Sequence, residues 1–339
     1  MPSYDIGSAD VHDKVLEVND NAWIVGKALI TRHDSKPAEP YWEDDQGFYF
    51  TMAEGPVPSP PMQRVSDSCP ITDALRSSGK FGGTYKIGNA YLSIANDFGA
   101  REHNTLEALR ERNYDFVLPT VYCHAAFRGQ YYIVHSITPG KSLAEVWPTT
   151  KDIALKKKWA VQIADAYHQL SQWHGDRICG ADGGELKHHW PHRNFSETND
   201  YKSYTHEIFL RNFKEMGLDC SEFVFAHNCM QPFSFTVDES QDRLGIMMWN
   251  NAGFVPKDWV CTMVIANPID EASQLVRYHQ WAQDDISEWR HLIYCALMDK
   301  GFRELWEKQA IWRGAEQANR ASTICLDSRI TGQGPLLKD

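Results

Sequence analysis

The chain has 339 residues, 42% hydrophobic and 23% charged, with 34 Lys and Arg against 45 Asp and Glu for a net charge of −11. That composition supports a substantial buried core, as one two-lobed unit or two domains, and excludes a disordered chain. The acidic balance, with no basic stripe and no RNA-recognition motif, argues against nucleic acid as a partner.

No stretch approaches the roughly 18 apolar residues of a membrane span, and the first residues carry neither a charged nor an apolar targeting region. The sequence therefore predicts a cytoplasmic protein without membrane association. Eight cysteines lack any Cys-x-x-Cys pairing, which suits reduced thiols and leaves no recognisable zinc site.

Residues 1 to about 74 read as an N-terminal extension. Ala22 to Thr31 alternates towards strand, and prolines at 37, 40, 56, 58, 60 and 61 mark loops. Ser78 to Gly88 reads as strand, glycine turn, strand, Ala90 to Ile94 as the next strand, and Ala95 to Leu109 as a turn into a helix. Tyr131 to Gly140 has the apolar run of a buried strand ending in a turn.

Thr150 to Trp173 reads as a helix, with Ile153, Trp159, Ile163, Ala166, Tyr167 and Leu170 at helical spacing and Lys156 to Lys158 on a solvated side. Phe225 to Val237 and Gly245 to Pro256 form two short strands around a charged hairpin turn at Asp238 to Arg243. Ile286 to Leu305 and Leu305 to Asn319 read as further helices whose apolar stripes serve packing.

The segments Phe225-Ala-His-Asn-Cys-Met-Gln-Pro-Phe-Ser-Phe-Thr-Val237 and Gly245-Ile-Met-Met-Trp-Asn-Asn-Ala-Gly-Phe-Val-Pro256 resemble the catalytic loop and metal-binding segment of the aminoglycoside phosphotransferase and choline kinase-like family. The match runs through His227, Pro232, Val237, Gly245, Ile246, Trp249, Ala252, Gly253 and Pro256. Landmarks cover about residues 75 to 265, including Val117 to Tyr122 as the approach to a fifth strand and Gly140 with Leu143 after the hinge strand. Extensions like residues 1–74 occur in fungal members.

This resemblance implies an α+β, two-lobed protein kinase-like fold. A small antiparallel-sheet N-lobe would span residues 75–140, and a larger, mainly helical C-lobe residues 141–339, with a cleft between them.

Residue by residue, the resemblance puts Cys229 where the family has its catalytic aspartate, Ser234 where it has its metal-binding asparagine and Met248 where it has its metal-binding aspartate. Glu102 occupies the place of a helix glutamate that pairs with a strand lysine, and that lysine position is Ser93. Lys86 on the preceding strand is a candidate substitute. Phosphoryl transfer depends on positioning and on magnesium neutralising phosphate charge, so these replacements strike the mechanism itself. Magnesium takes hard oxygen ligands, and methionine sulfur is a poor replacement.

His227 and Cys229 are the catalytic candidates. His227 either orients its loop by hydrogen bonding or transfers protons. Cys229 either serves as a nucleophile with a lowered pKa or fills space as a small inert side chain. Asn228, Gln231, Ser234, Met248 and Asn250, with His188 and Trp190 from the run Lys187-His-His-Trp-Pro-His192, are the substrate-binding candidates. That run lacks a recognised zinc spacing, so it reads as a loop at the acceptor side rather than a metal site. No metal and no cofactor is expected.

Three function classes follow. The first is a kinase-like fold that has lost phosphotransfer and acts without ATP or metal in biosynthesis, cyclising, rearranging, eliminating from or adding to a small, largely apolar organic substrate. The second is a non-catalytic pseudokinase that binds or scaffolds, and the third an atypical small-molecule phosphotransferase. The sequence leaves the substrate, reaction and oligomeric state open.

Overall fold

The computed structural model describes residues 15–73, 83–193, 200–266 and 274–314, which divide into two compact units. One comprises residues 15–97 and 119–137, the other 98–118 and 138–314. The first is built of antiparallel strands and the second is mainly helical, so the class is α+β.

The strand-rich unit holds two sheets. Strands β1 (Val15–Asn19), β2 (Ala22–Val25), β3 (Ala28–His33), β4 (Tyr41–Glu43), β5 (Tyr49–Glu54) and β6 (Gln63–Arg64) form a six-stranded sheet in the order β4-β5-β3-β2-β1-β6. Strands β7 (Ile71–Asp73), β8 (Gly83–Ile87), β9 (Ala90–Asn96), β10 (Val121–Phe127) and β11 (Gln130–Ser136) form a five-stranded sheet in the order β10-β11-β9-β8-β7.

Ala22 to Thr31 is not one strand but a hairpin. Gly26 turns it with φ +63°, and a Cβ there would lie 2.7 Å from the Tyr132 hydroxyl. Only glycine meets both requirements without strain.

The two sheets share one core in which Trp23, Trp42 and Phe50 pack with Ile87, Leu92 and Tyr132. Polar bonds tie them as well: Trp42 Nε1 donates to the Ile87 carbonyl at 3.0 Å, and the Tyr132 hydroxyl accepts the Lys27 N–H at 2.6 Å. The expected N-terminal extension thus contributes a sheet to the same unit. The buried carboxylate of Glu17 accepts the Ser66 N–H at 2.9 Å, and that bond foremost holds its pKa below the usual carboxylate range.

The helical unit contains α1 (Glu102–Arg110), α2 (Leu143–Val146), α3 (Ile153–Leu170), α4 (His206–Glu215), α5 (Trp259–Ala266), α6 (Gln274–His279), α7 (Gln283–Asp299) and α8 (Trp306–Arg313). Helix α3 starts where Asp152 Oδ1 accepts the Ala154 N–H, so the helix expected over 150–173 is shorter at both ends. Helix α7 begins before and stops short of the predicted 286–305. Of the predicted 305–319 helix only α8 is described, and residues 315–319, like residues 78–82 of the glycine turn, lie outside the described residues.

One expectation on α3 is corrected. Lys156 does not face solvent: it is 5% exposed, pairs with Glu288 of α7 and sits 5.3 Å over the Trp147 ring. The α3–α7 contact buries this side of the helix, and the long aliphatic stem of lysine allows its charge to reach a partner at the edge. Among the described residues, no helix is long and apolar enough to cross a membrane.

Two small sheets frame the region of interest. Strand β14 (Phe223–Ala226) lies between β13 (His174–Gly175) and β17 (Gly253–Pro256), while β15 (Phe235–Asp238) lies between β12 (Lys141–Ser142) and β16 (Arg243–Ile246). The β15–β16 hairpin matches the expected turn. Residues 227–234 and 247–252 leave these strands as two neighbouring loops, joined where the Met247 N–H donates to the Ser234 carbonyl at 2.9 Å.

Candidate functional site

His227 follows directly on β14 and is fully buried. Its Nε2 lies 2.7 Å from the Met247 carbonyl, which only accepts, so Nε2 carries the proton. The tautomer leaves Nδ1 as the acceptor for the Tyr167 hydroxyl at 3.4 Å. The ring stands edge-on to Trp249 with centroids 4.7 Å apart. Burial pushes its pKa down to about 4, so the imidazole is neutral with both nitrogens engaged.

The three positions where the resemblance expects aspartate, asparagine and aspartate converge on one point. Ser234 is fully buried, and its Oγ lies 3.1 Å from Cys229 Sγ and 4.0 Å from Met248 Sδ. A turn places it there: the Ser234 N–H donates to the Gln231 carbonyl at 2.9 Å. Burial pushes the Cys229 thiol up, the Ser234 hydroxyl lowers it in part, and the charge of Glu102 raises it again. The thiol is therefore protonated at neutral pH, which is the opposite of an activated nucleophile.

Met248 holds a left-handed backbone, φ +65° and ψ +57°. Aspartate and asparagine tolerate this region better than an unbranched apolar residue, so methionine holds it at a cost in backbone strain. Met248→Gly is expected to gain about 1 kcal/mol in urea unfolding from relief of this strain. A loss of stability would show that the thioether contacts outweigh the backbone cost.

Glu102, at the first turn of α1, is 4% exposed, and its Oε1 accepts the backbone N–H of Trp249 at 2.8 Å. It makes no ion pair among the described residues. The helix N-terminus favours its negative charge. Ser93, at the position expected for a lysine partner, sits on β9 with its Oγ 3.3 Å from Thr84 Oγ1, while Lys86 is exposed on β8. Trp249 itself is fixed by its indole N–H on the Ile246 carbonyl at 2.9 Å and by stacking on Phe116.

The remaining candidates divide. Asn228 is buried with φ +58°, and its Nδ2 bridges the Asn251 and Gly253 carbonyls at 3.1 and 3.4 Å. Its Oδ1 is buried without a partner among the described residues. Gln231 is buried in the same loop, and Asn250 is exposed on the other. The structure thus gathers His227, Asn228, Cys229, Gln231, Ser234, Met248 and Asn250 on two adjoining loops.

His188 and Trp190 belong to a different cluster. His188 is fully buried with Nε2 accepting the Trp259 indole N–H at 2.8 Å, and Trp190 lies under the Arg313 guanidinium, 5.6 Å from the ring centroid. Arg313 also donates to the Trp190 carbonyl and, at 3.2 Å, to that of His192. The run therefore packs α5 and α8 into the unit. Among the described residues, no group of three or more His, Cys, Asp or Glu side chains is placed to hold a metal ion.

The donor set at Ser234 does not fit magnesium. A thiol, a hydroxyl and a thioether offer one hard oxygen where magnesium demands near-octahedral oxygen coordination. Sequence reasoning missed the role of Glu102, because an acceptor for a backbone N–H has no signature in residue type.

No family model matches the chain, and no curated protein matches it. Solved structures do. An aminoglycoside-3'-phosphotransferase of type VIII is 13% identical over 74% of this chain and 94% of its own, with TM-score 0.44. An aminoglycoside phosphotransferase in complex with gentamicin is 13% identical over 76% of this chain and 90% of its own, with TM-score 0.39. The ethanolamine kinase of Plasmodium vivax is 10% identical over 76% and 83%, with TM-score 0.36.

Proposed function

We propose that this chain is a kinase-like protein that has lost metal-dependent phosphotransfer, and that its altered centre binds and transforms a small, largely apolar organic molecule without ATP or a metal ion. One observation carries the reading: the three positions that would supply base and metal ligands meet at Ser234 Oγ as thiol, hydroxyl and thioether. Their convergence supports the residue-by-residue match with the kinase-like motif, and their chemistry removes what phosphoryl transfer needs. Sulfur, Trp249 and Phe235 make the surroundings polarizable and apolar, with amides from Asn228 and Gln231 for orientation.

A second reading, a non-catalytic binding protein, draws on His227. A buried neutral imidazole with both nitrogens bonded holds a loop and has no free site for proton transfer.

A thermal-shift titration separates these from a surviving kinase. A nucleotide bound at 100 times its Kd stabilises by about 2.7 kcal/mol. ATP with magnesium is expected to give no shift, whereas members of a panel of uncharged apolar metabolites are expected to raise the melting temperature. A magnesium-dependent ATP shift would overturn the loss of phosphotransfer.

A further inference from the structure

We infer that Glu102 is the general base of the altered centre, acting on a weakly acidic proton of an uncharged substrate; the inference rests on the functional reading above. Of the titratable side chains gathered here, two are disabled by geometry. His227 spends Nε2 on the Met247 carbonyl and Nδ1 on the Tyr167 hydroxyl. Cys229 is a protonated thiol held by Ser234. Glu102 alone retains an acceptor to spare: Oε1 takes the Trp249 N–H, and Oε2 has no partner among the described residues.

The position suits the task. The carboxylate is 4% exposed and lies next to the Met248–Trp249 segment. The single N–H bond at Oε1 fixes its orientation without neutralising it. A reacting proton on Oε2 would leave the Trp249 bond intact, so the base can cycle with no rearrangement of the loop.

The probe is 5-nitrobenzisoxazole, a small uncharged aromatic whose elimination reports a desolvated base. Glu102 Oε2 takes the proton from C3, the C–H electron pair completes the nitrile, and the N–O bond breaks so that the phenolate oxygen leaves with its electrons. The proton then passes from Glu102 to water. The full chain is expected to accelerate this reaction about 100-fold over Glu102→Gln, a variant that keeps an acceptor oxygen for the Trp249 N–H.

Added acetate is expected to restore turnover to Glu102→Ala, which a purely structural glutamate would not permit. Equal rates for wild type and a folded Glu102→Gln, or no turnover above acetate in solution, overturn the assignment of Glu102. A magnesium-dependent ATP shift in the same preparation overturns instead the functional reading on which it rests.

Discussion

Lowering the pH from 7 to 5 is expected to remove about 4 kcal/mol of stability through His189 and His227, about 2 kcal/mol from each. Both have folded pKa values pushed by burial from the usual 6.5 down to about 4. Below 6.5 the unfolded chain takes up protons that the folded chain refuses, so stability falls as the pH falls. The loss accrues at about 1.4 kcal/mol per pH unit per histidine and levels off near the folded values. His188, held well below its usual value by burial first and by His189, His192 and Arg313 next, adds in the same direction.

For His189 burial is the main cause, and the neighbouring His192 and half-buried Arg313 add to it by repelling a proton placed there. Urea midpoints measured between pH 4 and 7.5 test this. His189→Gln should reduce the pH slope by one proton's worth between 6.5 and 4, with little change above pH 7. An unchanged slope would mean that His189 is protonated in the folded state and that the burial argument fails. A total of about 4 kcal/mol is a large fraction of the roughly 5–15 kcal/mol by which native proteins are stable, so a marked fall in the urea midpoint in this window is the visible consequence.

What the sequence disclosed and what it hid follow a physical line. Helix α3 was legible because its apolar residues recur at helical spacing, whereas its start at the Asp152 cap was not read from the sequence. The β15–β16 hairpin was legible from its charged turn. Ala22 to Thr31 misled because alternation reads the same in one long strand as in two short ones, and Gly26 alone marks the reversal. The solvated face assigned to Lys156 failed because charge type says nothing of what packs on a helix from elsewhere in the chain.

The site divides in the same way. The resemblance aligned Cys229, Ser234 and Met248 with three functional positions of the family, but that the three meet within reach of one hydroxyl depends on the loop path through 227–234 and 247–252. Glu102 was noticed for the cation it lacks, while the bond it makes goes to a backbone N–H that every residue but proline possesses. The histidine run was read as a loop at the acceptor side because it lacks a zinc spacing, and its place against α5 and α8 comes from tertiary contacts with Trp259 and Arg313.

Trp147→Ala is expected to cost 3–5 kcal/mol, and Trp147→Phe about 1.5 kcal/mol or less. Trp147 is fully buried, its ring 4.9 Å from Trp289 and 6.2 and 6.4 Å from Trp159 and Trp281, and the Lys156 ammonium lies over it. Alanine removes one wall of this four-indole cluster and leaves a cavity that rigid neighbours cannot close. Phenylalanine keeps most of the wall and deletes an indole N–H that has no partner among the described residues, so the lost packing is offset by removal of an unsatisfied donor.

The consequence extends to the site, since Trp289 contacts Phe235 at 6.1 Å and Phe235 contacts His227 at 6.0 Å. Urea unfolding of the two variants separates packing from hydrogen bonding. Equal losses would mean that the indole nitrogen carries a bond worth as much as the ring. A loss below about 1 kcal/mol for alanine would mean that the cluster collapses to fill the space, and that His227 is held by its own two bonds rather than by the aromatic wall behind it.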